Sequence, residues 1–134
     1  MHAFLRALLL LPLLLAACGT QPRTASTYLQ LTLTTGRFTP NQWRIPGGAT
    51  VQIQINNQTT LAHEWVLLKD PPKEPYGTEE EAQVLVRIPI AAGETRTAEF
   101  RAPAAPGQYA VTCALPGHLE KGEIGSALVV QPGY

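Results

Sequence analysis

Methionine is all but absent from this 134-residue chain, with Met1 the only one. Cysteine and histidine are nearly as scarce: the two Cys are Cys18 and Cys113, and the three His are His2, His63 and His118. A disulfide framework is therefore excluded beyond a single bridge. Charge of either sign in excess is also lacking, since ten Lys plus Arg stand against ten Asp plus Glu, and no long block of like charge occurs. The field that draws proteins to nucleic acid is missing, and no nucleic-acid partner is expected. A phosphate loop, a dinucleotide fingerprint and a Ser-His-Asp constellation are not found, and His63-Glu64-Trp65-Val66-Leu67 lacks the second His of a zinc-protease helix. Hydrolase and nucleotide chemistry drop away, and the chain is not expected to be an enzyme.

What is present begins with an export leader over residues 1–17. Arg6 supplies its positive start, and Ala7 through Ala17 are apolar apart from Pro12. The apolar stretch is too short to span a bilayer comfortably. The run Leu15-Ala16-Ala17-Cys18 resembles a bacterial lipoprotein box, which implies cleavage before Cys18 and a thioether lipid on its sulfur. An ordinary secretory leader is the alternative, and Cys18 could then pair with Cys113. Residues 18–27 are polar and without hydrophobic period, a flexible tether of roughly ten residues that could reach about 30 Å. Lipid rather than charge would attach the protein to a bilayer.

Residues 28–134 read as one folded domain. Eleven Gly and twelve Pro favour short strands joined by turns. Leu29, Leu31 and Leu33 alternate with polar residues, as do Val51, Ile53 and Ile55, which marks two half-buried strands. Further strands are expected over Arg37 to Ile45, His63 to Leu68, Val84 to Ile90, Thr95 to Arg101, Gly107 to Cys113 and Ser126 to Gln131. Pro46-Gly47-Gly48, Ala92-Gly93 and Pro106-Gly107 separate them as turns. About eight short strands without helical interludes indicate an all-β antiparallel sandwich. Asp70-Pro71-Pro72-Lys73-Glu74-Pro75 cannot be strand, and Thr78-Glu79-Glu80-Glu81 reads as a capping box opening one short helix in a loop.

The scarce residues now fall into a pattern. Cys113 ends a strand, pointing inward with Tyr109 and Val111, and His118 follows Ala114-Leu115-Pro116-Gly117, where Pro and Gly favour a tight turn. His63 opens another strand after Asn56-Asn57-Gln58-Thr59-Thr60. Loops of a sandwich gather at its ends, so one end can collect all three side chains. Two imidazoles and a thiolate form a set that suits copper in a trigonal site with a weak axial partner. Asn57-Gln58-Thr59 also matches a glycosylation sequon, which reads as a chance match, and Trp43 and Trp65 read as core.

Here the chain resembles the cupredoxin family of small blue-copper electron carriers. The resemblance covers most of residues 28–131 and rests on Ala62-His63-Glu64, on the strand Gly107 to Cys113, and on the run from Cys113 to Gly125. It implies a Greek-key sandwich, one mononuclear copper ion, and His63, Cys113 and His118 as its equatorial ligands. The axial position departs from the family. Many members place Met four or five residues beyond the second His, and here the flanking Gly122-x-Ile124-Gly125 puts Glu123 where the thioether would be. Glu123 is therefore expected as axial ligand or near neighbour, with a backbone carbonyl such as that of Ala62 as the alternative. An anionic oxygen favours Cu(II), so the expected potential is lower than that of a Met-ligated relative. Glu64 rather than Asn follows the first His, and Ala114 follows the Cys, which leaves the hydrogen bonding of the thiolate open.

Taken together, these features describe a monomeric, membrane-tethered copper protein of the cell envelope, facing the periplasm or the exterior. It would pass single electrons between exported or membrane redox proteins, with Leu115, Pro116 and Leu119 as an apolar docking patch. Zinc is the alternative ion, because two His, a Cys and a carboxylate also make an acceptable tetrahedral site. The rival function is copper handling, meaning sequestration or delivery without electron turnover. A metal-free adhesion sandwich is the third reading.

Overall fold

The computed structural model describes residues 24–34 and 36–133. The expected leader, the expected lipidation site Cys18 and the first part of the expected tether lie outside the described residues. Among the described residues, nine strands form two packed sheets. They are β1 (Tyr28–Thr34), β2 (Arg37–Thr39), β3 (Gln42–Pro46), β4 (Thr50–Asn57), β5 (His63–Leu68), β6 (Val84–Ile90), β7 (Thr95–Arg101), β8 (Gly107–Thr112) and β9 (Ile124–Val130). The first sheet runs β2-β1-β4-β7 and the second β3-β9-β8-β5-β6. Just before β1 the chain is already tied to this frame, with the Ser26 amide donating to the Arg44 carbonyl and the Gln52 amide to the Thr27 carbonyl.

The sandwich is all-β, yet its sheets are mixed rather than antiparallel throughout. β1 pairs with β4 in parallel, and β3 pairs with β9 in parallel. The cause lies in residues 37–46, of which Arg37 to Ile45 are expected as one strand. Pro40 has no N–H to offer a ladder, and the chain breaks there and changes sheets, leaving β2 beside β1 and β3 beside β9. A strand that changes sheets separates neighbours that a hairpin would have joined antiparallel.

Between the sheets, the alternating Leu29, Leu31 and Leu33 and Val51, Ile53 and Ile55 pack on Ile45, Trp65, Leu67, Val111 and Val129. Each such side chain contributes roughly 1.5–3 kcal/mol through burial. Trp43 and Trp65 meet edge to face at 5.9 Å between ring centroids, inside the core as expected. Strand β5 is apolar on both faces, because Val66 and Leu68 pack with Ala110 in a second cluster that Tyr76 and Val84 help to cover. Such a satellite cluster under a long loop explains why Trp65 to Leu68 read as an unbroken apolar run.

The loop over that cluster ends in α1 (Thr78–Glu81). Its cap is Gly77, one residue earlier than expected, and Thr78 is the first helical residue. Glycine has no side chain to cap with, so only half of the box forms: the buried Glu80 carboxylate accepts from the amides of Gly77 at 3.0 Å and Lys73 at 3.2 Å. Donation from its own amide, and from those of Lys73 and Gly77, holds the Glu80 carboxyl below the usual carboxylate range. No helix among the described residues is long and apolar enough to cross a membrane.

Candidate metal centre

One end of the sandwich collects the scarce residues. His63 opens β5, Cys113 follows the last residue of β8, and the segment 114–123 returns from β8 to β9. That return is shaped by its glycines. Leu115-Pro116-Gly117-His118 closes as a turn, with the His118 amide donating to the Leu115 carbonyl at 3.1 Å and Gly117 at φ +76°. Pro at the second position and a left-handed Gly at the third make it a type II turn. A 3-10 turn over Leu119–Lys121 follows and ends on Gly122, whose left-handed φ of +89° swings residue 123 back toward Cys113. The Cys113 amide and the Thr112 hydroxyl both donate to the Glu123 carbonyl, at 3.2 and 3.0 Å, which closes the loop.

His63, Cys113, His118 and Glu123 thereby converge, with ligand atoms all within 4.8 Å of one another. Glu123 Oε2 lies 2.8 Å from His63 Nδ1 and 3.2 Å from His118 Nδ1, and His118 Nδ1 lies 3.3 Å from Cys113 Sγ. Both imidazoles turn the same nitrogen, Nδ1, toward the shared space. The four expected residues are thus brought together. His63 and Glu123 are only 2% and 1% exposed, whereas the His118 side chain reaches 11%. His118 is the member of the group nearest to solvent.

The sulfur's hydrogen bonding, open from sequence, comes from backbone. The Glu64 amide donates to Cys113 Sγ at 3.3 Å, and the Leu115 amide also points to it. A main-chain donor works with any side chain at position 64, so Glu64 is free to pair with Arg87, which also holds Glu81 of α1. Burial pushes the Cys113 thiol up to about 12, and a bound cation must displace that proton.

Glu123 has a dedicated seat. A Cβ built on Gly36 would stand 3.1 Å from Glu123 Oε1, and Gly36 itself sits at φ +72°. A side chain at position 36 would crowd the carboxylate and strain the backbone. Gly36→Ala is therefore expected to displace Glu123 and change the EPR hyperfine coupling of the copper-loaded protein. An unchanged spectrum would show that the carboxylate does not depend on this seat.

The donor set of two imidazoles, a thiol and a carboxylate, all turned inward, fits copper or zinc. Copper(II) outranks zinc in intrinsic affinity for a given set of ligands. A cleft of about 530 Å³ adjoins the group, lined by Gly36, Thr59, Leu61, His63, His118 and Lys121 among others.

One sequence expectation about this end needs correction. Leu119 cannot belong to an apolar docking patch, because it is 4% exposed and packs inward, while Leu61, which sequence reasoning passed over, is 54% exposed. The 3-10 turn rotates residue 119 beneath the loop. The sequon match at Asn57-Gln58-Thr59 falls on a buried Asn57, whose side chain joins Thr59 behind His63. Its only sequence signal was a short polar run directly before a candidate ligand.

Comparison with known proteins agrees with this construction. A family model described as a cupredoxin-like domain matches residues 7–124. The dithionite-reduced auracyanin of the photosynthetic bacterium Roseiflexus castenholzii is similar in structure, with a TM-score of 0.67 at 22% identity over 80% of this chain and 99% of its own. Auracyanin A, a blue copper protein of Chloroflexus aurantiacus, gives 0.62 at 24% identity over 77% and 98% of the two chains. Rusticyanin from Thiobacillus ferrooxidans gives 0.57 at 20% identity over 79% of each. Likeness at these identities carries the fold alone. No curated protein sequence matches the chain. The match over most of its length, on a sandwich of this topology with a His-Cys-His cluster at one end, makes this chain a member of the cupredoxin-like domain family.

Proposed function

We propose that the domain is a copper-binding electron carrier of the cell envelope, holding one ion through His63, Cys113 and His118 with Glu123 as the axial donor. The observation that carries this reading is the convergence of those four side chains within 4.8 Å at a buried end of the sandwich. Bound there, copper supplies a one-electron couple between Cu(I) and Cu(II).

The residues of the chain would provide the frame for that couple. Cys113 and Glu123 are joined through the main chain, His63 starts a strand buried in the second sheet, and the Gly117 and Gly122 turns fix His118 between them. A donor set held this firmly needs little rearrangement when its charge changes. His118, with exposed Leu61 on the same cleft, would be the edge at which a partner docks. Cys18, lipidated, would hold the domain to a membrane on the tether, facing the periplasm or the exterior, where exported or membrane redox proteins are the partners.

Glu123 also supports a second reading. A carboxylate beside the ion favours Cu(II), which would suit a protein that receives and delivers copper. Voltammetry of the copper-loaded protein separates the two. The carrier reading expects a fast, reversible one-electron wave and retention of copper against an apo-acceptor. An irreversible wave with rapid copper transfer would replace it with copper delivery.

A further inference from the structure

The Asn57 and Thr59 side chains meet His63 at Nε2, the ring nitrogen other than the one that faces Glu123. Asn57 is 1% exposed and fully engaged: Nδ2 donates to the carbonyls of Leu61 and Ala91, both at 2.8 Å, and Oδ1 accepts from the Thr59 amide at 3.0 Å. Two carbonyls on one side and an amide N–H on the other leave a single orientation for the amide group. The Thr59 hydroxyl then faces two atoms that can only accept, Asn57 Oδ1 at 2.8 Å and the Leu61 carbonyl at 3.1 Å. Its one proton is committed to these oxygens. Its third close neighbour is His63 Nε2, at 2.8 Å. A bare Nε2 would make a third acceptor competing for one hydroxyl proton. A protonated Nε2 donates instead to the lone pair on Oγ1 that the Leu61 amide, donating from 3.3 Å, leaves free, and every contact of the hydroxyl is satisfied.

We propose that Asn57 and Thr59 are positioning residues that keep a proton on His63 Nε2, so that Nδ1, which lies 2.8 Å from Glu123 Oε2, is the nitrogen whose lone pair an ion bound among Cys113, His118 and Glu123 would meet. The placement of this proton follows from the hydrogen bonds alone, and its consequence for copper rests on the proposed function. The ring nitrogen opposite a metal is set by the partner of the other nitrogen, and loss of such a partner typically costs about 10–100-fold in metal affinity. Asn57 acts through Thr59, by holding its hydroxyl with the lone pairs toward the ring.

The test has two arms on the full domain. Long-range proton–nitrogen NMR on the metal-free, ¹⁵N-labelled protein reads each ring nitrogen of His63 directly. Nε2 is expected to carry a proton in the wild type and in Thr59→Ser, and to lose part of it in Thr59→Val. A bare Nε2 in the wild type would overturn the proposal without any reference to copper. In the second arm, copper affinity by competition with a chelator is expected to fall about 10–100-fold in Thr59→Val and to recover in Thr59→Ser. Equal affinity of Thr59→Val and wild type would also overturn it. A wild type with the expected Nε2 proton but no tight copper binding would instead refute the proposed function and leave the proton placement standing.

Discussion

Replacing Cys113 with serine is expected to abolish the thiolate-to-copper absorption of the loaded protein and to weaken copper binding by more than about 100-fold. Loss of a partner that only supports a ligand already costs about 10–100-fold, and Cys113 offers the one thiolate in the group. The change keeps the shape of the side chain, and its oxygen can still accept from the Glu64 amide that now points at Sγ. The fold should therefore survive, which separates loss of the ligand from loss of the domain. A variant that keeps both affinity and colour would remove Cys113 from the centre.

The second large effect is expected at Glu123. Replacing it with methionine should raise the reduction potential. Two unit charges about 4 Å apart at an effective dielectric near 20 interact by roughly 4 kcal/mol, which sets the scale on which a carboxylate in this group would stabilise each added unit of positive charge. On the one-electron scale of 59 mV per tenfold change, this amounts to about 170 mV, and partial compensation by neighbouring dipoles would still leave a shift above roughly 60 mV. The sign is set by Cu(II) carrying one more charge than Cu(I), so that removal of the anion weakens the oxidised form more. Methionine has three rotatable bonds and can fill the seat beside Gly36 that the glutamate leaves. Voltammetry of the variant against wild type gives the answer, and an unshifted potential would place Glu123 outside the metal's reach.

Much of this site was legible in the sequence because its signals are local. The segment from Cys113 to His118 carries its own turn, with Pro116 and Gly117 at the positions a type II turn requires, and a strand ending at position 112 sets its start. Strands β5, β6 and β7 begin and end where their alternation and flanking turns place them. Pairing is a different matter. The period of two in β1 and β4 tells which face is buried, but not that the two strands run side by side in parallel, since residues 37–46 decide that by crossing between sheets. The same holds for polar networks. Asn57 and Thr59 look like any polar loop, and only the fold brings Ala91 and His63 beside them. Leu119 misled for a related reason, because a 3-10 turn has a different period from the strand-and-turn rhythm around it.

The most direct measurement is a titration of the soluble chain, begun after Cys18, with Cu(II) while absorption and EPR spectra are recorded. The account predicts a sharp break at one equivalent and an intense thiolate charge-transfer band. The hyperfine coupling should be displaced from that of a Met-ligated site by the Glu123 carboxylate. A pale complex without that band, or no break at all, would contradict a copper centre built on His63, Cys113 and His118.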